Sequence, residues 1–401
     1  MAEGDAPEPQ ARLGLPAWIL LGGNALNTVG IGIFFPILPI YIGHRGASAA
    51  LVGAVMTGGI LGYGVAQYPA GWVADNLGRR RVMVLSRFVY AVFFLVYLLP
   101  VAPLALLGVR FFHTLSSGFS TPAAMAMLAD LTPPRRRGRV FGLWQSSTMS
   151  GYLVGPALGG LLAQTGLRAV FVAAFVVCLV AAVATLWVRE TRPAAGTPAE
   201  PAPGGPGPGL ARLALALLPI AGAGLAWAWL VGTYDTIWSL YLLHLGGTTW
   251  EIGLSFTFFA LPVALLGGFS GGLADRLGVR PVVAVALVVA GSLAVVYGLS
   301  HSIPLLIGLG LLEGALTSGA SPALFSAVSN SVGLDLQGRA QGLIQASTQV
   351  VSAAAALTSG FLFTLRPSLP FFGISAGCLL SLCFVPLLGG RRGAGAGEET
   401  A

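Results

Sequence analysis

The sequence predicts an all-α membrane protein: twelve transmembrane helices arranged as two pseudo-symmetric six-helix bundles. Three observations predict it. Only 9% of the 401 residues are charged and 55% are hydrophobic, whereas a soluble domain carries about 25% charged residues. Apolar runs of about twenty residues recur along the whole length, each able to cross the roughly 30 Å hydrocarbon layer as a helix. The stretch GWVADNLGRR at 71–80 returns as GGLADRLGVR at 271–280, one of several matches at an offset of two hundred.

In chain order the expected spans lie near 16–43, 49–74, 81–100, 103–129, 138–163 and 167–188, then 211–243, 251–273, 280–300, 303–329, 338–365 and 370–388. The first fifteen residues are polar and partly acidic, without the basic start of a signal peptide, and the first apolar run is too long for one. It is therefore expected to remain as a span. Between the sixth and seventh spans, RETRPAAGTPAEPAPGGPGPGLAR is rich in Pro, Gly and Ala and has no apolar periodicity, so it reads as a flexible linker. The expected domains are a bundle over 1–188, a linker over 189–210 and a second bundle over 211–401 with a short tail. Cys178, Cys378 and Cys383 all lie inside apolar runs and read as small buried hydrophobes, not as metal ligands or disulfides.

An even number of spans puts both termini on one side. The basic residues are all arginine. If the termini are cytoplasmic, sixteen arginines of tails and loops fall on that side and three, Arg45, Arg168 and Arg366, on the other. That bias places the termini in the cytoplasm of a plasma membrane, and absence of lysine suggests a GC-rich bacterial genome. The net charge of +7 is explained by short loops facing anionic lipid, so no nucleic-acid partner is expected.

The repeat extends beyond the opening pair. GRVFGLWQSST at 138–148 matches GRAQGLIQAST at 338–348, Pro122 corresponds to Pro322 and Asp130 to Asn330. Two related six-span halves imply a pseudo-twofold axis along the membrane normal, with a binding site near the midplane between them. This points to a transporter.

These residues also carry a resemblance. Gly71, Asp75, Gly78, Arg79 and Arg80 reproduce the loop motif between spans 2 and 3 of the major facilitator superfamily. The second copy keeps Gly271, Asp275, Gly278 and Arg280 but has Val279 in place of Arg79. In span 5, Gly151, Gly155, Pro156, Gly159 and Gly160 fit the motif associated with proton-coupled antiporters, and GIGIFFPILP in span 1 resembles a signature of the twelve-span drug:proton antiporters. The resemblance covers nearly the whole chain. It implies the major facilitator fold, and a charged latch of Asp75, Arg79 and Asp130 that holds the cytoplasmic gate shut while the outer side is open. The alternative is that the arginines only anchor topology. With Val279 and Asn330, the second copy is expected to be a weaker latch. In span 5, small residues every four positions let another helix backbone approach, and Pro156 allows a bend. Plain helix packing is the other reading of that motif.

Most of the acidic residues lie in tails, loops or span ends. Asp235 in span 7 and Glu313 in span 10 lie well inside apolar sequence, as do Arg110 and His113 in span 4. A charge at such depth costs a few kcal/mol or more unless it is paired or wetted, so each is a functional candidate. The resemblance implies that spans 1, 4, 7 and 10 line the cavity. Asp235 or Glu313 is the expected proton carrier, with Arg110 and His113 setting its affinity or binding an anionic group; a structural pair of Glu313 and Arg110 is the alternative.

Trp227, Tyr234, Trp238 and Tyr241 recur at helical spacing beside Asp235, while Asn24, Asn27, Gln145 and Gln345 add neutral hydrogen-bonding groups. Such a lining suits a bulky, mostly apolar substrate, with or without a cationic group, unless the aromatics face lipid. The chain has no HExxH, phosphate loop or paired CxxC, and its four histidines are scattered, so neither enzyme activity nor a metal or other cofactor is expected. The sequence expectation is a monomeric, proton-coupled exporter of hydrophobic or drug-like molecules. An exporter of a sugar or metabolite, a uniporter and a transport-inactive sensor are the alternatives.

Overall fold

A computed structural model of the chain describes residues 13–133, 136–191, 209–333 and 336–388. Side chains at 210–211 and 267–275 fall outside that description, and with them the roles expected of Gly271 and Asp275; most of the linker and both tails also fall outside it. The described residues form fourteen α-helices: α1 (Leu15–Phe34), α2 (Leu38–His44), α3 (Ala49–Leu77), α4 (Arg79–Val96), α5 (Ala105–Asp130), α6 (Arg137–Ala163), α7 (Leu167–Ala184), α8 (Leu210–His244), α9 (Thr249–Leu277), α10 (Val279–Leu299), α11 (Ile303–Thr317), α12 (Ala320–Ser331), α13 (Gln337–Leu365) and α14 (Leu369–Leu382).

Fourteen helices make twelve spans because two spans are broken. The first divides between α1 and α2, where Pro36 and Pro39 each remove a backbone donor. The tenth divides between α11 and α12 at Ser318–Gly319. Pro322 has no N–H for the Ser318 carbonyl four residues back, and its ring would crowd that carbonyl in an unbroken helix. The sixth and twelfth spans both finish in a single 3₁₀ turn, Thr185–Trp187 and Val385–Leu387. Nine spans, two of them including these breaks, are long and apolar enough by themselves to cross a membrane. The other three, α4, α5 and α6, are more polar because they carry arginines near their starts, the buried Arg87, Arg110 and His113, and a run of hydroxyls.

The two halves repeat each other in detail. In the first, α1 packs on α6 and α7, α3 on α5, and α4 on α5 and α7; in the second, α8 packs on α13 and α14, α9 on α11, and α10 on α14. Side chains repeat too. Tyr41 donates its hydroxyl to the Tyr97 carbonyl at 2.6 Å, and Tyr241 to the Tyr297 carbonyl at 2.7 Å. Arg80 donates from Nε to the Val188 carbonyl at 2.7 Å, and Arg280 likewise to the Leu388 carbonyl. Each half thus ties the end of its sixth span to the start of its third by an arginine on a carbonyl, which suits a cation to a helix C-terminus.

The halves meet along two seams, α3 on α13 and α6 on α9. Three hydrogen bonds cross them. Thr57 donates to the Ala353 carbonyl at 3.0 Å, Thr257 to the Leu153 carbonyl at 2.9 Å, and Thr249 to the Gly160 carbonyl at 3.0 Å. The first two are one contact seen twice across the pseudo-twofold axis. All lie toward the side away from the termini. On the termini side the same α3 is uncovered, with Tyr68 96% and Trp72 71% exposed.

Candidate functional site

An open cavity lies along α8, α9, α10 and α11, with about 620 Å³ of space among its side chains, part of it continuous with solvent. Its wall comes from the second half: Trp227, Tyr234 and Trp238 on α8, Phe256 and Phe259 on α9, and Tyr297 on α10 supply the aromatic faces. Asp235 and Glu313 are its two acids. A helix that presents Trp227, Leu230, Val231, Tyr234, Asp235 and Trp238 follows the three-and-four spacing of one face, which is why α8 supplies half the wall.

The two carboxyl groups are held differently. Glu313 is 2% exposed and both its oxygens accept from tyrosine: Oε2 from Tyr297 at 2.9 Å, Oε1 from Tyr234 at 3.4 Å. Asp235 is half-buried and no described side chain bonds its carboxylate. Arg110, from the first half, is within electrostatic reach of it without forming a direct ion pair. The Arg110 guanidinium lies 5.4 Å over the Phe34 ring, and its Nε has no partner. A structural pair between Glu313 and Arg110 is not formed.

His113 does not line the cavity. It is 0% exposed, with its ring stacked on Tyr90 at 4.1 Å and met edge-on by Phe94 at 4.8 Å. The Tyr97 hydroxyl lies 3.3 Å from its Nδ1. Three residues turn a helix by about 300°, so His113 is offset from Arg110, and the aromatic stretch of α4 encloses it.

The neutral groups expected at the site are placed elsewhere. Asn24 donates to Ser147 at 2.8 Å and to Thr148 at 2.9 Å, tying α1 to α6. Asn27 carries a buried carbonyl oxygen without a partner. Gln145 and Gln345 are exposed and are not part of the described cavity wall. Tyr241 is a pin inside the second half, bonded to the Tyr297 carbonyl as noted, so it too leaves the wall. Sequence reasoning missed Ser255, which accepts from the Trp238 indole at 2.9 Å, together with Phe256 and Phe259. Their spacing on α9 was the available signal.

The glycine motif of α6 divides its work. Gly151, Gly155 and Gly159 seat the backbone of α1 at Thr28, Gly32 and Ile33. Gly160 instead seats α9, where a Cβ would stand 3.1 Å from the Gly253 Cα, and Pro156 presents its carbonyl to Gly253. The equivalent seam brings a Gly53 Cβ to 3.0 Å from the Gly360 Cα. Both seams therefore depend on glycine meeting glycine.

At the termini side, Gly78 turns the chain between α3 and α4 with φ +98°. Arg79 pairs with Asp75 at 3.3 Å and with Asp130, joining α3, α4 and α5. Thr191 donates to the same Asp130 oxygen at 2.8 Å, and the Arg80 N–H donates to Glu190 at 3.1 Å. Gly71 stands on an open face, where an added Cβ would meet nothing within 4 Å. In the second half Gly278 makes the same turn with φ +88°, but Asn330 bonds back to Ser326 on its own helix. Among the described residues that copy makes no ion pair.

Residues 20–246 and 223–400 each match the family described as the Major Facilitator Superfamily. Multidrug resistance protein 2 of Bacillus subtilis is 25% identical over 172 residues, 43% of this chain and 43% of that protein. Quinolone resistance protein NorA of Staphylococcus aureus is 24% identical over 143 residues, 36% of this chain and 37% of that protein. An uncharacterized MFS-type transporter of Methanocaldococcus jannaschii is 34% identical over 136 residues, 34% of this chain and 35% of that protein. The chain thus spans less than half the length of these relatives. Among solved structures, a POT family transporter in complex with 5-aminolevulinic acid superposes with a TM-score of 0.77 at 14% identity, covering 93% of this chain and 96% of that one. A bacterial homologue of the human lysosomal transporter Spinster, inward-facing and occupied, gives 0.75 at 14% identity over the same shares, 93% and 96%. At such identities these two establish the fold alone.

Proposed function

The chain belongs to the Major Facilitator Superfamily, and from that premise we propose that it is a secondary transporter, a proton-coupled antiporter that exports hydrophobic, drug-like cations by alternating access. The observation that carries this reading is Asp235: a carboxylate that no described residue hydrogen-bonds, in a cavity faced by aromatic rings. Such a group holds a proton or a cationic substrate in turn, and the aromatic faces favour the cation beside it. Glu313, held by two tyrosine hydroxyls, is the second acid of the exchange. The names of two relatives, a multidrug and a quinolone resistance protein, support the substrate class.

The arginine bias supports termini in the cytoplasm of a bacterial inner membrane. On that reading the glycine seams close the outer side, and the cavity receives substrate from the cytoplasm. The Asp75–Arg79–Asp130 cluster is the latch of the opposite state, when the halves close over the uncovered face of α3. The two domains are 1–188 and 211–401, joined by the linker 189–210, and the working unit is a monomer.

The test is flux. In sealed liposomes with an imposed pH gradient, the purified protein is expected to move tetraphenylphosphonium against its gradient, and a protonophore to abolish the movement. Flux that ignores the protonophore contradicts proton coupling. Absence of any flux, together with unchanged growth of an expressing strain on toxic cations, contradicts export itself.

A further inference from the structure

Phe35, in the break between α1 and α2, meets Phe256 of α9 across the two halves. The ring centroids lie 6.2 Å apart with the planes at 88°, an edge-to-face contact. The other described ring contacts stay within one half. Phe256 belongs to the cavity wall. On α9 it stands between Gly253 and Thr257, which hold the seam to α6 at the Pro156 and Leu153 carbonyls. The pair therefore sits where the cavity wall meets the seam that shuts the side away from the termini.

The backbone at Phe35 differs from that of its counterpart. Its N–H still donates to the Ile31 carbonyl at 2.8 Å, but Ile37 turns back to the Phe34 carbonyl at 3.1 Å. Pro36 and Pro39 have no N–H for the Gly32 and Phe35 carbonyls, four residues back in each case. Two hundred residues later the same positions hold Asp235, Thr236 and Ser239, and α8 runs unbroken through them. The counterpart of Phe256 is Met56. Broken backbone and paired rings thus share one corner of the molecule, while the opposite corner carries the acid on a continuous helix. The segment beyond the break, α2, packs on α8 of the other half, whereas α1 packs on α6 and α7 of its own. A residue at the end of an element between two such attachments can absorb a change of backbone angle.

We propose that Phe35 and Phe256 form the gate between the cavity and the side away from the termini, and that substrate leaves at this corner. With the rings in contact, two bulky apolar groups close the passage and offer water no hydrogen bond. When the seam parts at Thr257, Phe256 goes with the second half and Phe35 turns aside at the break. One position of the repeat thus serves as the acid in the second half and as the plug in the first. The inference rests on the transport reading of the cavity, and neither proton coupling nor the substrate class enters it.

The test is thiol labelling of the full chain in intact cells, where an impermeant reagent meets the side away from the termini. The parent carries Cys383→Ser, which removes an exposed thiol, and Val231→Cys on the cavity wall. Its reaction with a cationic, impermeant methanethiosulfonate is expected to be slow. Phe35→Ala and Phe256→Ala are each expected to speed it about tenfold, the change in open population that loss of one aromatic pair allows. Met56→Ala, the same truncation at the opposite corner, is expected to leave the rate unchanged. Where the alanine variants do not reach the membrane, Phe35→Leu and Phe256→Leu make the comparison with a smaller rise. A parent that already labels fast, or phenylalanine variants that label no faster than the parent, overturns the gate. An equal rise in Met56→Ala overturns its placement at this corner. Labelling needs no transport, so these outcomes leave proton coupling untouched, and a failure of proton-driven flux in liposomes leaves the gate untouched.

Discussion

Tyr297 donates its hydroxyl to Glu313 at 2.9 Å, and two hundred residues earlier the Tyr97 hydroxyl meets His113 at 3.3 Å. Equivalent tyrosines thus hold a carboxyl group in one half and an imidazole in the other. Only the first of these pairs reaches the cavity. Tyr297→Phe is expected to cost about 1–3 kcal/mol, the range for a hydrogen bond to a buried carboxyl group. Tyr97→Phe is expected to cost no more than about 1 kcal/mol. Thermal denaturation of both variants in detergent compares them. Equal losses would mean that the Tyr297–Glu313 bond has no special weight.

The ion-pair cluster at the termini side predicts an unequal pair of mutants. Asp75 is the more exposed partner of Arg79, with its side chain 64% accessible, against 28% for Asp130. Exposed pairs contribute roughly 0–1 kcal/mol, so Asp75→Asn should leave the protein inserted and stable and should slow transport modestly. Asp130→Asn removes a group that also accepts from Thr191 and is expected to slow it more. Transport rates at equal expression decide. Wild-type flux in both mutants would remove the latch from the mechanism.

The glycine seams predict a trapped state. Valine at Gly253 would drive its side chain into the Pro156 carbonyl, and at Gly53 into the Ala356 carbonyl. Either change is expected to keep the side away from the termini from closing, while each half still folds. Single cysteines placed near Thr57 or Thr257 would then react with a water-soluble maleimide far faster than in the wild type. Unchanged labelling would show that the seams are not where the halves part.

Arg87 gives a stability prediction of unusual sign. It is 3% exposed, bonds only to the Ser120 hydroxyl, and leaves Nη1 without a partner. Replacing a buried, poorly compensated charge by an apolar side chain is often neutral or stabilising. Arg87→Leu, which installs the residue of the second half, is therefore expected to match or exceed the wild-type melting temperature. A loss of several degrees would mean that the guanidinium has a partner that compensates it.

Much of this architecture is legible in the sequence because the repeat is long and its offset constant. The offset alone pairs Thr57 with Thr257, Gly160 with Gly360 and Cys178 with Cys378. What the sequence conceals is local. Hydropathy averaged over twenty residues cannot register a break of one turn, so the interruptions at Pro36–Ile37 and Ser318–Gly319 are invisible until the carbonyl partners of Pro322 and its neighbours are traced. Depth in the membrane was readable for Asp235 and Glu313, but direction was not. Tyr241 shares α8 with cavity residues, yet it points into a packed aromatic cluster, as His113 does on α5. Arg87 was overlooked because it follows Arg79, Arg80 and Arg81 closely enough to read as part of a basic helix start. Its counterpart Leu287 was the signal that it belongs inside.

The exchange at the two acids can be measured without a membrane. Purified protein in weakly buffered detergent solution is titrated with tetraphenylphosphonium while a pH indicator reports protons set free. The account predicts that protons appear in step with the bound cation, and that the Asp235→Asn, Glu313→Gln double variant releases none. Saturable binding by the wild-type protein with no proton release would contradict it.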